Sequence, residues 1–83
     1  MKLAVKYFAS IRETLGQGGE TVDTSAASLG ALRDELVARG GAYAQSLARG
    51  KAVRVALNQV MSDESALLSE GCEVAFFPPV TGG

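Results

Sequence analysis

Leu3, Val5 and Tyr7 alternate with Lys2, Ala4, Lys6 and Phe8, a period of two that predicts a strand with one face turned inward. That parity leaves Phe8, a large aromatic, on the outward face. Ser10-Ile11-Arg12-Glu13 has the S-x-x-E spacing of a capping box, and with Thr14, Leu15 and Gly16 it predicts one or two helical turns capped by Ser10. Gln17-Gly18-Gly19 reads as a loop. Residues 20–23 fit a short charged edge strand, and residues 24–28 a polar connection ending in Ser28 as an N-cap.

From Leu29 the period becomes helical: Leu29, Leu32 and Leu36 form an apolar stripe, with Arg33, Asp34 and Arg39 placed on the opposite, solvent side. This is the main helix, closed by Gly40-Gly41. Gly30 in its first turn costs about 1 kcal/mol of helix propensity relative to Ala. Residues 43–47 predict a further short helix. Val53, Val55 and Leu57 then alternate with Ala52, Arg54 and Ala56 as a third strand up to the turn-forming Asn58-Gln59, and Val60-Met61 reads as a very short strand. After a turn at Glu70-Gly71, residues 73–77 form the last strand, with Val74 and Phe76 inward and Ala75 and Phe77 outward. Pro78 and Pro79 end it, since neither can donate a ladder hydrogen bond. The order ββ-α-β-(β)-β predicts an α+β fold, a mixed sheet packed on one main helix in the β-grasp, ubiquitin-like arrangement.

At 83 residues the chain is expected to form a single domain, 1–83, with a flexible tail at 78–83. A formal net charge of −1 and scattered basic residues give no reason to bind nucleic acid, and no apolar stretch approaches a membrane span. Neither a signal-peptide pattern nor a cysteine pair is present, so the expected location is cytoplasmic; Cys72 alone cannot form an internal disulfide. With no histidine there is no Cys/His metal set, no Ser-His or Cys-His pair and no imidazole base. Gly16, Gly18 and Gly19 fit no phosphate-binding motif. Asp34-Glu35 and Asp63-Glu64 read as solvated acids rather than a catalytic dyad. Cys72 lies between Glu70 and Glu73 without a basic neighbour, which disfavours an activated thiolate.

Chemistry is therefore expected at the diglycine Gly82-Gly83. Without Cβ atoms these residues can pass through a channel too narrow for side chains, and the reactive group is the carboxylate of Gly83. Beyond Pro79 the chain can extend up to ~3.3 to 3.6 Å per residue, on the order of 13 Å in all, a length suited to insertion into a partner. If the first and last strands lie side by side and parallel, as in a β-grasp sheet, Phe8 falls near Phe77 on the outer surface as an apolar docking patch beside the tail.

Tyr7-Phe8-Ala9 with Arg12-Glu13, Gly50-Lys51, Asn58-Gln59 and the run Glu73-Val74-Ala75-Phe76-Phe77-Pro78-Pro79-Val80-Thr81-Gly82-Gly83 together resemble the small subunits of molybdopterin synthase, over the whole chain. The resemblance implies a β-grasp sulfur carrier of molybdenum cofactor biosynthesis, working in a heterotetramer with the large subunit and binding no cofactor itself. An adenylating activating enzyme would use ATP on Gly83, and a sulfur donor protein would supply the thiocarboxylate that is delivered to cyclic pyranopterin monophosphate. It also implies Phe8, Met61 and Phe77 as hydrophobic interface positions, Arg12 as a polar contact near them, and Pro78, Pro79, Val80, Thr81 and Gly82 as the tail. The glycine-rich loop at residues 16–19 and Gly30 depart from that pattern. A sulfur carrier for thiamine or tRNA thiolation, or a ubiquitin-like adaptor that only docks, would share parts of this reading.

Overall fold

In a computed structural model that describes residues 1–79, the alternation of the first segment becomes strand β1 (Lys2–Tyr7), with Leu3, Val5 and Tyr7 buried. Val80, Thr81, Gly82 and Gly83 lie outside the described residues. The chain continues through α1 (Ala9–Leu15), β2 (Gly19–Asp23), α2 (Leu29–Val37), α3 (Gly41–Leu47), β3 (Arg54–Leu57), β4 (Val60–Ser62) and β5 (Glu73–Phe77). The sheet order is β2-β1-β5-β3-β4. β1 and β5 run parallel at its centre, with Val5 opposite Val74 and Tyr7 opposite Phe76, and the other pairings are antiparallel. One face of this mixed sheet receives Leu29, Leu32 and Leu36 of the principal helix α2, with Ile11 of α1 and Leu47 of α3 closing the same core. This is the α+β, β-grasp arrangement expected from the sequence.

Local chemistry explains most boundaries. Asn58 and Gln59 both take positive φ, 50° and 68°, between paired Leu57 and Val60, the signature of a two-residue hairpin. Asn58 also ties the hairpin to β5, donating its N–H to the Glu73 carbonyl and accepting the Glu73 N–H on Oδ1. Ser28 caps α2 as expected, its hydroxyl accepting the Ala31 N–H.

Three sequence expectations are corrected. Ser10 does not cap α1: the N-cap is Phe8, without a side-chain cap, and the amides of Ile11 and Arg12 donate to its carbonyl. The Phe8 N–H donates to the Phe76 carbonyl, so pairing with β5 holds the chain extended one residue past β1 and fixes where the helix can begin. Ala9 makes the turn at φ 52°, a left-handed value unusual for alanine. Second, α2 ends at Val37 with Ala38 as its C-cap, and Gly40 and Gly41, at φ 76° and 55°, are the N-cap and first residue of α3 rather than the close of α2.

The third correction is Arg33, which is 4% exposed instead of facing solvent. Its guanidinium donates to the carbonyls of Leu47 at 2.7 Å, Ala48 at 2.8 Å and Lys51 at 3.0 Å, and pairs with Glu64 at 2.9 Å. These carbonyls lie at the end of α3 and in the turn after it, where Ala48 also accepts the Lys51 N–H, and the buried cation supplies them with donors in place of water. Arg49 closes the cluster onto Glu64, Asp34 and the Gly30 carbonyl. The two acidic pairs of the sequence are thus structural: Asp34 and Glu64 hold arginines, Glu35 accepts from the Thr24 hydroxyl, and Asp63 caps Ser65.

Gly30 belongs to the same junction. Its N–H donates to the Glu64 carbonyl at 2.9 Å, and a Cβ there would stand 3.2 Å from that oxygen and from the Glu64 Cβ. The residue that weakens the helix in isolation is what allows α2 to approach the 63–64 segment.

A second polar cluster surrounds Glu20. Its carboxylate accepts from Tyr43 at 2.6 Å, Tyr7 at 2.8 Å, Arg39 at 3.0 Å and Gln17 at 3.2 Å, joining β2, β1, α3, the turn after α2 and the 16–18 turn. Burial alone would raise its pKa, but the hydrogen bonds from Tyr43, Tyr7 and Arg39 outweigh it and hold the carboxyl below its ordinary range. Burial, then the Glu20 carboxylate, pushes the Tyr7 phenol far above its ordinary value and keeps it a donor.

Two stability measurements check these junctions. Gly30→Ala should lower unfolding free energy in urea by about 1 kcal/mol, because crowding of about 1 to 3 kcal/mol exceeds the helix-propensity gain of about 1 kcal/mol; a stabilised variant would contradict the close approach. Glu20→Gln should cost about 1 to 3 kcal/mol at pH 7. Because the folded pKa is depressed, that stabilisation is complete above the ordinary value of 4.5 and is lost as pH falls through the folded pKa. The gap between variant and wild type should therefore close on acidification below about pH 4.5 and stay constant between pH 6 and 8.

Candidate functional site

The strand pairing assembles one outer face from residues distant in the chain. Lys6 stands opposite Ala75, Ala75 opposite Ala56, and Ala56 opposite Met61, a row crossing β1, β5, β3 and β4. One step further along the strands, Phe77 stands opposite Arg54, and Phe8 follows the end of β1. The Phe8 and Phe77 rings meet edge to face, centroids 6.4 Å apart and planes 82° apart. Phe8 is 45% exposed and Met61 53%, whereas Ala75 and Ala56 are buried, so the small residues form a recessed floor between larger apolar rims. The aromatic pairing expected from parity is present, and α1 leaves Phe8 open.

Met61 shares this face but sits two strands from β5, beyond Ala56. Arg12 lies elsewhere. It projects from α1 over Gly18, where a Cβ would meet its Nε at 3.2 Å, and lines a recess with Ala9, Glu13 and Gln17 on the flank of Phe8. Its link to the patch is through the backbone, the Arg12 N–H donating to the Phe8 carbonyl at 3.3 Å.

The root of the tail is held on two sides. Phe77, Pro78 and Pro79 are half-buried. Pro78 lines a groove with Ser10, Thr14, Lys51 and Val53, between α1 and the approach to β3. Pro79 lines a wider one with Arg54, Met61, Asp63 and Glu64. Lys51, which enters the sequence reading only within Gly50-Lys51, and Arg54, which enters it only in the β3 alternation, are not among the site residues expected from the sequence. The available signal was parity, since Arg54 shares the face of Ala56, but its position beside Phe77 comes only from the β3–β5 register.

Little here can act as an acid, base or nucleophile. Cys72 is 4% exposed and packs in the core. The acids nearest the tail root are engaged: the Arg49 hydrogen bond, against the opposing effect of burial, holds Glu64 below its ordinary carboxylate range, and the Ser65 hydroxyl and amide do the same for Asp63. The arrangement is an exposed apolar patch bordered by Lys51 and Arg54, with the proline pair at its edge. No helix among the described residues is long and apolar enough to cross a membrane.

Comparison with known proteins agrees with this geometry. The ThiS family model matches residues 5–83. The chain is 38% identical over 81 residues to the molybdopterin synthase sulfur carrier subunit of Haemophilus influenzae, covering 98% of this chain and 99% of that protein. Among solved structures it resembles SAMP1 from Haloferax volcanii, with a TM-score of 0.79, 27% identity and complete coverage of both chains. It also resembles a chain of the complex of subunits 1 and 2 of the molybdopterin-converting factor from Helicobacter pylori, with a TM-score of 0.70, 25% identity and complete coverage of both.

The exposure of the aromatic pair sets a contrast in stability. Phe8→Ala should cost less than about 1 kcal/mol, as for an exposed side chain, whereas Phe76→Ala, which empties a fully buried site stacked on Tyr7, should cost about 3 to 5 kcal/mol. Equal losses in thermal unfolding would place Phe8 in the core.

Proposed function

The chain belongs to the ThiS family, and on that premise we propose that it is the sulfur carrier subunit of a cytoplasmic molybdopterin synthase, with sulfur carried at the Gly83 carboxyl group. The observation that carries this reading is the open Phe8–Phe77 pair beside the proline root of the tail, in a chain similar along its length to sulfur carrier subunits. The docking face holds the large subunit, and residues 80–83 reach into it.

The chemistry follows from the poor reactivity of a carboxylate. An activating enzyme joins Gly83 to AMP from ATP and releases pyrophosphate, which supplies a leaving group. A sulfide equivalent from a donor protein attacks the acyl carbon, the C–O bond to AMP breaks, and AMP departs to leave a thiocarboxylate, a soft nucleophile. In the large subunit that sulfur passes to cyclic pyranopterin monophosphate, and water restores the Gly83 carboxylate. This chain contributes the reagent and its placement; the acid and base groups belong to the partner.

The experiment is molybdopterin formation with purified large subunit and a thiocarboxylate installed chemically on each variant, which bypasses activation. Removing Gly83 shifts the reacting group by up to ~3.3 to 3.6 Å. A misplacement of about 1 Å can cost ~10²-fold in rate, so at least that loss is expected, with the fold and most of the affinity retained. Near-normal product from the shortened chain would overturn the assignment of Gly83 and return the protein to a docking adaptor.

A further inference from the structure

We propose that Lys51 and Arg54 form a cationic pair flanking the tail root that docks against an acidic rim around the partner channel entered by the tail. The inference rests on the docking face of the proposed function and adds the chemistry of the surface it meets. Of the eight lysines and arginines, Lys6, Arg33, Arg39 and Arg49 are in ion pairs. Lys2, Arg12, Lys51 and Arg54 make none among the described residues. Lys2 is at the far end of β1 and Arg12 on the flank of Phe8, which leaves Lys51 and Arg54, both exposed, in the grooves of Pro78 and Pro79 respectively.

Both cations have fixed backbone roots and no acidic partner among the described residues. The Lys51 carbonyl accepts from buried Arg33 and its N–H donates to Ala48, while Arg54 is in the β3 ladder opposite Phe77. Continuing the β3–β4 register by one step would set Asp63 across from Arg54, but the Asp63 carboxylate is turned to the amide and hydroxyl of Ser65. Glu64 in the same groove is taken by Arg33 and Arg49. Among the described residues, positive charge is therefore left unpaired beside both Pro78 and Pro79, continuous with the apolar patch. A face of that kind fits carboxylates grouped around an apolar docking surface, which would speed encounter and set the direction in which the tail arrives.

The test is association kinetics with the large subunit of the same organism, comparing wild type with the double variant Lys51→Glu/Arg54→Glu at low and high salt. The double variant should associate at least about 10-fold more slowly at low salt, with the gap narrowing as salt screens the charges. The neutral pair Lys51→Gln/Arg54→Gln should fall between, and all three should unfold at similar temperatures. Association unchanged by charge reversal, or accelerated by it, overturns the acidic rim. Phe77→Glu separates this outcome from a wrong docking face: if it binds like wild type, the face itself is misassigned, and if wild type does not bind, both readings fall.

Discussion

The parallel pairing of β1 with β5 is the constraint on which the rest of the structure depends. It joins segments about seventy residues apart, with Ala4 opposite Glu73 and Tyr7 opposite Phe76, and it is the only parallel seam in the described sheet. Inward, it stacks the Tyr7 and Phe76 rings, centroids 6.3 Å apart. Outward, the same register and the Phe8 amide bond to Phe76 bring Phe8 against Phe77. The strand that completes the core is thus also the strand from which the tail leaves, so a slip of one residue would turn the docking face inward.

Such a non-local seam requires the intervening chain to return to the same place, and two polar clusters close that return. Arg33 and Arg49 bind α2, the end of α3 and the 63–64 segment around Glu64, where Gly30 admits close contact. Glu20 gathers β2, β1, α3 and the turn after α2. Ion pairs of this sort add little when exposed, but here Arg33 is buried and its guanidinium also donates to three backbone carbonyls, and Glu20 also accepts from the Tyr7 and Tyr43 hydroxyls. Their consequence for function is rigidity: the backbone of Lys51, and hence one side of the tail root, is anchored by the same guanidinium that stabilises the end of α3.

The proposed function divides labour in keeping with this construction. A small domain whose cysteine is buried and whose acids beside Pro79 are engaged by Arg33, Arg49 and Ser65 is suited to presenting a reagent on a short tether from its sheet. Recognition then belongs to the sheet and reaction to the tether, which explains why the face is apolar and preformed while the chemistry is assigned four residues beyond the last described proline.

The sequence by itself determined the elements, their inward faces, the hairpin turn at Asn58-Gln59 and the outward aromatics, because periodicity and turn propensity are local properties written in consecutive residues. It also pointed to Gly83, since a diglycine following a proline pair needs no tertiary context to be distinctive. Tertiary structure alone decided the start of α1, which the Phe8–Phe76 hydrogen bond sets in place of a Ser10 cap, and the burial of Arg33, which helical parity placed in solvent. It decided likewise that Arg54 stands beside Phe77 and that Asp63 does not neutralise it. These outcomes depend on which carbonyls, carboxylates and strands meet across tens of residues, and no local pattern encodes a partner that only folding brings within hydrogen-bonding distance.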